Sequence, residues 1–443
     1  MELRLKRDYT PFIGVLAGII IGVLLFLFPL TTAIKIVGGL VGTILTLVSP
    51  QIGLFLLVFI IPFVSLKYTT LLYALVMGSF ILNFIINPNK KFKKLPFKYS
   101  IIFFIITLVF ATVSSFAFKE SIKQLLIYII AISMPFLLIN LIEDKKTFKR
   151  FIMLIILASL LVSLYGLYQY KVGIALDESW VDKQLNPDLK TRVYSTLENP
   201  NVLAEYLLLT IPLGVSMLWG ERNRFKKLFY LGAVGVQLLC LLLTFSRGGW
   251  VGIAIAAVVF AFFVDRRLFI VYFLAGIGLI LVSPDVILTR INTITNVKDS
   301  STSYRFPLWL ATIDMIRDYI ISGIGIGIGA FRAIYPNYMR LGIIAVHSHN
   351  IYLQILVETG IFGFLSFIAV VINTFRASFI SYVKGIDKKF KILAIGVASG
   401  MCGLLAHGLV ENVFFNGRII ITFWVIVAIA LLNYKLQVET IEE

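Results

Sequence analysis

The chain has 443 residues, of which 59% are hydrophobic and only 14% are charged, and its mean hydropathy is +0.95. Soluble proteins carry about 25% charged residues, so the composition excludes an ordinary soluble protein. The net charge of +17 is concentrated in short loops between apolar runs, which is typical of a membrane protein and argues against a nucleic-acid partner.

Apolar runs recur along the whole chain. The first, residues 11–30, follows Arg4, Lys6 and Arg7 as in a signal peptide, but it is long and lacks a convincing cleavage site, so we expect a first membrane helix. A helix crosses a bilayer with about 20 residues, which predicts an all-α polytopic protein of about 14 spans, or about 12 if the short second and third spans form a re-entrant pair. The predicted spans are 11–30, 33–49, 51–66, 68–86, 99–117, 121–141, 150–170, 200–218, 227–245, 247–264, 267–282, 350–376, 390–410 and 417–434.

The loops between these spans predict an orientation. Loops rich in Lys and Arg are retained in the cytoplasm, and with an even number of spans both termini lie there too. Two long loops of nearly balanced charge, 171–199 and 283–349, are then extracytoplasmic, and residues 1–443 form a single membrane domain whose larger loop leads into 345–364. The basic segments are the N-terminus, 89–98, 143–150, 221–227, 265–267 and 383–391.

The larger outer loop has helical periodicity in residues 304–320. Trp309, Ile313, Ile316 and Ile320 recur at helical spacing, while the charged residues fall largely on other faces. This pattern predicts a partly helical outer loop with an amphipathic helix along the membrane surface.

Two patterns that suggest a cofactor have simpler explanations. The alternating glycines of "GIGIGIGA" (323–330) lack the strand–loop–helix context of a nucleotide site, so we expect a lipid-facing loop or one close to other backbone. Cys240 and Cys402 both lie in apolar runs, which predicts packing rather than a disulfide or a metal site.

Ionisable residues at the edges of the spans are functional candidates because charge inside a bilayer is costly. Arg247 lies between two apolar runs, and Glu358 lies about two turns into the helix that Asn350 opens. His407 and Glu411, four residues apart, are expected to share a helix face near its outer end. Each also has a structural alternative. Arg247 is then a snorkelling arginine, Glu358 a hydrogen-bond partner of a neighbouring helix, Asn350 a helix cap, and His407 with Glu411 a structural pair.

The predicted topology gathers cations and histidines at one outer boundary. Arginine binds phosphate oxygens bidentately, and histidine exchanges protons near neutral pH, so a lipid-linked phosphate substrate fits this boundary. The two neighbouring histidines lack a cysteine or a nearby acid to complete a metal site, so no metal is predicted. The boundary set is Arg247, His347, His349, Glu411, Glu198 and Asn199, with Arg305, Arg317, Arg332 and Arg340 in the loop above.

The segment "HSHNIYLQILVETGIFGF" (347–364) resembles the signature of the bacterial O-antigen ligase and polymerase family. That signature is a histidine, then Asn, Ser or Gln, nine residues, a glycine, two residues and a glycine or near substitute. His349, Asn350, Gly360 and Gly363 match it, and the two glycines are expected to form a close-packing face. Further segments that resemble the family are "ENPNVLAEY" (198–206), "SRGGW" (246–250) and "SYRFPLW" (303–309).

The resemblance implies a fold like that of the C-type glycosyltransferases and a metal-free reaction. Such proteins transfer a glycan from an undecaprenyl-pyrophosphate carrier to a lipid or glycan acceptor at the outer face of the bacterial inner membrane. His349 matches the catalytic histidine, and Arg247 and Arg305 match the arginines that engage the pyrophosphate. Further substrate-binding candidates are Asn350, Arg332, Glu198, Asn199, Glu411 and, in a supporting role, His347.

The chemistry of these residue types agrees with that implication. A general base is needed for the acceptor hydroxyl and cations for the leaving pyrophosphate, and one displacement without an enzyme nucleophile inverts the anomeric carbon. No cofactor and no Asp-x-Asp metal motif are predicted. The alternatives are a transporter resembling inorganic-carbon carriers, which would place polar residues near the midplane, and a lipid-linked glycan flippase, which needs a charged path. The choice between ligase and polymerase stays open, because the two differ only in the acceptor.

Overall fold

The structure is a computed structural model that describes residues 15, 18, 22–23, 26–175, 189, 191–282, 285–292 and 303–439. Within that part of the chain the regular elements are helices and no strand occurs, which confirms the predicted all-α fold. The α-helices are α1 (Leu30–Val48), α2 (Pro50–Ile60), α3 (Leu66–Ile86), α4 (Lys98–Val113), α5 (Phe118–Ile132), α6 (Met134–Leu141), α7 (Lys145–Val172), α8 (Pro200–Gly220), α9 (Arg224–Leu243), α10 (Arg247–Val264), α11 (Leu268–Val282), α12 (Asp285–Asn292), α13 (Arg305–Tyr319), α14 (Ile328–Ile334), α15 (Ile351–Lys384), α16 (Lys388–His407) and α17 (Gly417–Tyr434).

The described residues contain ten helical segments long and apolar enough to cross a membrane, as expected of a multi-pass membrane protein. Shorter apolar helices lie at Pro50–Ile60, Lys98–Val113 and Leu268–Gly278, where the sequence predicts further spans. The predicted first span, 11–30, lies largely outside the described residues, so the choice between 12 and 14 spans stays a prediction.

The span predicted at 121–141 consists of two helices. α5 ends at Ile132 and α6 begins at Met134, with Pro135 in its first turn. Proline has no N–H to donate, and its ring displaces the carbonyl of the preceding turn, so the helix breaks here. Together the two helices still have the length of one span.

Residue contacts divide the chain into two compact units. The first comprises Met1–Leu57 and Leu71–Lys90, and within it the Ser79 hydroxyl donates to the carbonyl oxygen of Thr46 at 2.6 Å. The second comprises Val58–Thr70 and Lys91–Glu443. Every residue predicted for the functional site belongs to the second unit.

α8 and α17 form the centre of the second unit. In their most apolar stretches, 83% of α8 and 89% of α17 is buried. Trp424 of α17 is fully buried and stacks on Phe104 of α4, with ring centroids 6.2 Å apart. A helix that is apolar on all sides is expected inside a bundle, where protein rather than lipid surrounds it.

α16 packs closely against α8 and α10 through glycines. A side chain at Gly403 would lie 2.7 Å from the carbonyl oxygen of Gly252, and one at Gly396 would lie 2.7 Å from that of Pro212. Small residues let membrane helices approach backbone to backbone in this way. Since α8 and α16 run antiparallel, the start of α8 and the end of α16 lie together, and the start of α10 joins them at Gly248, next to His407.

α15 is broken at Gly360, whose φ of 67° and ψ of −173° are not helical. The break leaves two carbonyl oxygens without helical partners. The Val357 carbonyl accepts instead from the N–H of Ile324 at 2.9 Å, and the Glu358 carbonyl accepts from the N–H of Gly325 at 3.1 Å. Gly360 therefore does more than pack closely, because its positive φ lets another segment bind the opened helix.

The segment that binds the opened helix is the glycine loop, residues 323–330. Its first three alternating glycines have positive φ, and a side chain at Gly323 would lie 2.3 Å from the carbonyl oxygen of Glu358. Ile324 and Ile326 are fully buried. The loop is therefore close to other backbone, which is one of the two alternatives expected for it. Ile324 and Ile326 point into the protein, whereas Ile328 is exposed.

α13 occupies the segment in which the sequence predicts an amphipathic helix. Its buried face is shifted from the predicted stripe, because Ile320 is exposed and Trp309 and Ile313 are only partly buried. The buried residues are Leu308, Ala311, Thr312, Met315 and Ile316. They pack with Phe331 of α14 and Val357 of α15, so α13 is fixed against the start of α15.

Candidate active site

The predicted catalytic histidine lies in the short loop that leads into α15. His349 has a φ of 49°, which is uncommon for a residue with a side chain. Trp309 of α13 donates through Nε1 to the Ser348 carbonyl at 3.1 Å, and the Gln354 side chain of α15 accepts from the Ser348 N–H at 2.7 Å. Neighbours on two helices thus hold the strained backbone and set the direction of the imidazole.

Both ring nitrogens of His349 have partners. Nδ1 lies 2.8 Å from Oε1 of Glu411, and Nε2 lies 3.1 Å from the hydroxyl oxygen of Tyr304. A carboxylate only accepts hydrogen bonds, so Nδ1 carries a proton and, in the neutral ring, Nε2 is an acceptor. This tautomer is suited to taking a proton at Nε2.

Glu411 comes from the turn that follows α16. Its Oε2 accepts from Nδ2 of Asn201 at 3.1 Å and lies 4.0 Å from the guanidinium of Arg305. Burial alone would raise the pKa of Glu411, but its interactions with His349 and Arg305 outweigh burial and hold the pKa well below its usual range. The carboxylate is therefore charged at neutral pH.

Asn201 connects Glu411 to a buried arginine. Its Oδ1 accepts from Nη2 of Arg192 at 3.1 Å. Burial, and then the positive charges of Arg290 and Arg247, lower the pKa of Arg192 to about 9, so it is still charged at neutral pH. Several arginine charges are thus concentrated on one side of the His349–Glu411 pair.

Arg192 and Arg290 also fix the turn before Arg247. Nε of Arg192 donates to the Thr244 carbonyl at 2.9 Å, and Nε of Arg290 donates to the Phe245 carbonyl at 3.3 Å. Sequence reasoning missed both arginines. Their local patterns do not differ from those of other loop arginines, and their proximity depends on how distant segments fold back on this turn.

His347 packs against His349, with ring centroids 3.9 Å apart, and contacts Phe415 at 4.6 Å. Its Nδ1 accepts from the backbone N–H of His349 at 3.1 Å. Burial, reinforced by His349, lowers the pKa of His347 to about 3, so the ring is neutral at neutral pH. A supporting role for His347 in substrate binding stays a prediction.

Residues 232–368 match the family model described as O-antigen ligase. This region is similar to the O-antigen ligase family. It contains Arg247, Arg305, His349 and both signature glycines, so the match confirms the resemblance seen in the sequence. The match supports a glycosyltransferase-like enzyme that acts on lipid-linked glycans in a membrane. No curated protein matches the chain.

The O-antigen ligase region and the turn after α16 together form a group that could hold a metal ion. The ligand atoms of His347, His349 and Glu411 lie within 4.8 Å of one another. No acid was expected near these histidines, because Glu411 is 62 residues from His349 along the chain. However, both Nδ1 atoms are already hydrogen-bonded, and Arg305 supplies a positive charge where a cation would sit. A metal-free O-antigen ligase site stays our prediction.

Two of the predicted substrate-binding residues cap helices. Oδ1 of Asn199 accepts from the N–H of Asn201 at 2.8 Å at the start of α8. Oδ1 of Asn350 accepts from the N–H of Tyr352 at 2.9 Å at the start of α15, and its Nδ2 donates to the Leu409 carbonyl. Both asparagines thus position the site, and contact with substrate stays a prediction for each.

Glu198 and Arg332 lie apart from the His349 group. Glu198 pairs with Arg418 at 2.9 Å, and Arg332 is exposed on α14. Among the described residues, no hydrogen bond or ion pair joins either of them to His349. Their predicted part in substrate binding is untested.

The expectation that His407 and Glu411 share a helix face is wrong. α16 ends at His407, and the chain turns at Gly408, where a side chain would lie 2.6 Å from Ile351 of α15. His407 instead faces Glu205 of α8, with Nε2 3.8 Å from Oε1 and both residues buried. The turn releases Glu411 from the helix, which allows it to reach His349.

Proposed function

We propose that the protein is a metal-independent, inverting glycosyltransferase of the O-antigen ligase or polymerase type. Its donor is a glycan on undecaprenyl pyrophosphate, and its acceptor is a lipid or another carrier-linked glycan. The observation that carries the proposal is the hydrogen bond from His349 to Glu411 beside a group of arginines. His349, Arg247 and Arg305 all lie within the region that matches the O-antigen ligase model.

His349 is the proposed general base. The acceptor hydroxyl takes the place of the Tyr304 hydroxyl near Nε2, and its oxygen attacks the anomeric carbon while Nε2 receives its proton. The bond from that carbon to the phosphate oxygen breaks, and undecaprenyl pyrophosphate leaves. Glu411 keeps the ring oriented and stabilises the imidazolium that forms. A single displacement of this kind inverts the anomeric centre.

The arginines are proposed to bind the pyrophosphate. Arg305 lies 4.0 Å from Glu411, and the Arg192 charge interacts with those of Arg247 and Arg290. Guanidinium groups bond phosphate oxygens in pairs and stay charged, so they stabilise the negative charge that develops on the leaving group. In this proposal they take the role that a divalent metal has in other glycosyltransferases.

The proposed location is the bacterial inner membrane, with both termini in the cytoplasm and the active site at the extracytoplasmic face. The basic loops support this orientation, since Lys and Arg are retained on the cytoplasmic side. His349 and Arg305 lie in or next to the long loop predicted to face outward.

The test is transfer by purified protein in detergent, with undecaprenyl-pyrophosphate glycan supplied both with and without a distinct acceptor. We expect His349→Gln to reduce the rate about 10²- to 10⁴-fold, because a general base contributes about that factor. EDTA should leave the wild-type rate unchanged. Chain growth without added acceptor would identify a polymerase.

His407→Gln is the matched control, since it changes a histidine whose ion-pair contact is Glu205 and which makes no hydrogen bond to Glu411 within the described part of the chain. Thermal melting of each variant separates a lost rate from a lost fold. A His349→Gln protein that melts like the wild type and transfers glycan at the wild-type rate would refute the assignment.

A further inference from the structure

The hydroxyl of Tyr304 covers the nitrogen at which His349 is proposed to act. It lies 3.1 Å from Nε2, and the two rings meet edge to face with their centroids 5.4 Å apart. Because Nδ1 donates to Glu411, Nε2 of the neutral ring is the acceptor in this contact and Tyr304 is the donor. The lone pair that a general base uses is therefore occupied by a residue of the protein itself.

The hydroxyl of Tyr304 keeps its proton at neutral pH. Burial raises the pKa of Tyr304 to about 12, against the opposing effect of the nearby Arg305 charge. A phenol with so high a pKa stays a neutral donor. It therefore covers Nε2 without transferring its proton to the ring.

Two contacts fix Tyr304 in this position. Its side chain, directly before α13, packs against the buried cluster that contains Leu308. On the next turn of α13, Trp309 donates through Nε1 to the carbonyl of Ser348, the neighbour of His349. The start of α13 and the histidine loop are thus joined beside the ring contact, so the hydroxyl of Tyr304 is directed at Nε2.

Water is the competitor against which such a cover is needed. The His349 side chain is 23% exposed, so solvent reaches the edge of the site. A water molecule at Nε2 attacks the anomeric carbon through its oxygen and gives one proton to Nε2, while the bond from that carbon to the phosphate oxygen breaks. The products are free glycan, with a hydroxyl at its reducing end, and undecaprenyl pyrophosphate, so the donor is consumed without transfer.

Water and the acceptor differ in what they gain by displacing Tyr304. A water molecule replaces one hydrogen bond to Nε2 with another and adds few contacts, so the exchange brings it little. An acceptor glycan makes further contacts along its length, and these offset the lost bond from Tyr304. The cover therefore favours a large acceptor over water.

We propose that Tyr304 directs the glycan to the acceptor rather than to water, by holding its hydroxyl on Nε2 of His349 until an acceptor hydroxyl displaces it. The inference rests on the proposed function and adds a residue that sets its specificity. Tyr304 takes no part in the chemical step, which distinguishes this role from that of a proton relay between the acceptor and the base.

The test is Tyr304→Phe, which removes the hydroxyl and keeps the ring. Purified protein in detergent receives undecaprenyl-pyrophosphate glycan with and without acceptor, and free glycan and transferred glycan are measured separately. We expect the ratio of hydrolysis to transfer to rise about tenfold, the effect of one hydrogen bond, while kcat for transfer stays within about twofold of the wild type. KM for the acceptor should fall, since the acceptor no longer competes with a hydroxyl of the protein.

Tyr338→Phe is the matched control. Tyr338 is also half-buried in the outer loop and packs against the same cluster, but its hydroxyl donates to Asp318 rather than to His349. This variant should hydrolyse and transfer as the wild type does. Tyr304→Leu also lacks the hydroxyl and should match Tyr304→Phe, which it replaces if the latter fails to fold.

Two results would overturn the proposal. An unchanged ratio of hydrolysis to transfer in the Tyr304 variants would mean that the side chain only packs. A loss of transfer with no gain in hydrolysis would make Tyr304 a proton relay.

A second measurement does not require turnover. Diethyl pyrocarbonate modifies accessible imidazole nitrogens, and tandem mass spectrometry distinguishes His349 from His347. His349 should react several-fold faster in Tyr304→Phe than in the wild type or in Tyr338→Phe, because its Nε2 is no longer covered. Equal rates in the three proteins would contradict the proposal.

If the wild type transfers no glycan, the proposed function fails by itself, and the modification rates still decide whether Tyr304 covers Nε2. A wild type that transfers glycan, beside a Tyr304→Phe protein that hydrolyses no more donor, would refute only the role of Tyr304.

Discussion

At the scale of single residues, the site depends on the side chain that orients His349. The Glu411 carboxylate is buried and charged, and it contacts the Nδ1 of His349 through one oxygen and Asn201 through the other. An acid in this position fixes the tautomer of the histidine and stabilises its protonated form. Its importance is therefore in the chemical step rather than in binding.

We predict that Glu411→Gln lowers kcat roughly 10²-fold, because an amide keeps the shape of the acid but not its charge. KM for the donor should not rise, since removing a negative charge leaves the attraction of Arg305 for pyrophosphate intact. Initial rates at varied donor concentration measure both constants. A purely structural role would appear instead as a lower melting temperature with kcat unchanged, and Glu143→Gln serves as the control.

At the scale of helices, Glu221 connects three helix ends. It follows α8, and its carboxylate binds Lys149 near the start of α7 at 2.8 Å and Lys389 at the start of α16 at 3.1 Å. The N–H groups of Arg222 and Asn223 donate to it as well. Burial alone would raise the pKa of Glu221, but these partners lower it to about 2.

The lowered pKa predicts a dependence of stability on pH. Because the folded-state pKa is below the unfolded one, the contribution is complete above about pH 4.5 and is lost as the pH falls toward 2; it amounts to about 3 kcal/mol. The melting temperature of the wild type in detergent should therefore fall as the pH is lowered from about 5 to about 2. Glu221→Gln should be less stable at pH 7 and show a flatter curve over the same window.

Glu143→Gln is the comparison, because Glu143 is an exposed acid that pairs only with Lys93 among the described residues. It should melt with the pH dependence of the wild type. Parallel curves for Glu221→Gln and the wild type would contradict the predicted role of Glu221.

At the scale of the whole molecule, the predicted orientation follows from the distribution of charge alone. Short basic loops alternate with two long loops of balanced charge, and the proposed site belongs to the side of the long loops. The orientation decides whether the enzyme uses donors that have already crossed the membrane.

Cysteine labelling tests the orientation. In a background with Cys240→Ser and Cys402→Ser, Ala333→Cys should react with a membrane-impermeant maleimide in intact cells, whereas Lys226→Cys should react only after lysis. Both positions are exposed, in α14 and near the start of α9, so access to reagent is set by the membrane. The reverse pattern would place the site in the cytoplasm.

Much of this architecture could be predicted from the sequence. Hydropathy indicates most spans because the bilayer imposes length and polarity directly, and the signature indicates His349, Arg247 and Arg305. Contacts between residues that are far apart in the sequence could not be predicted. The His349–Glu411 bond depends on the turn at Gly408, and the proximity of Arg192 and Arg290 depends on segments folding back. The break at Gly360 was also missed, since spacing alone does not distinguish a packing glycine from one with positive φ.

That break also connects two helices that carry parts of the proposed site. Three backbone hydrogen bonds connect the segment after α13 to the broken α15: Ile361 to Ile320, Ile324 to Val357 and Gly325 to Glu358. Both halves of α15 are thus joined to the segment after α13, the outer half through Val357 and Glu358 and the inner half through Ile361. The base at the start of α15 and Arg305 at the start of α13 therefore lie on helices that are bonded and packed to each other, which supports a fixed spacing between them.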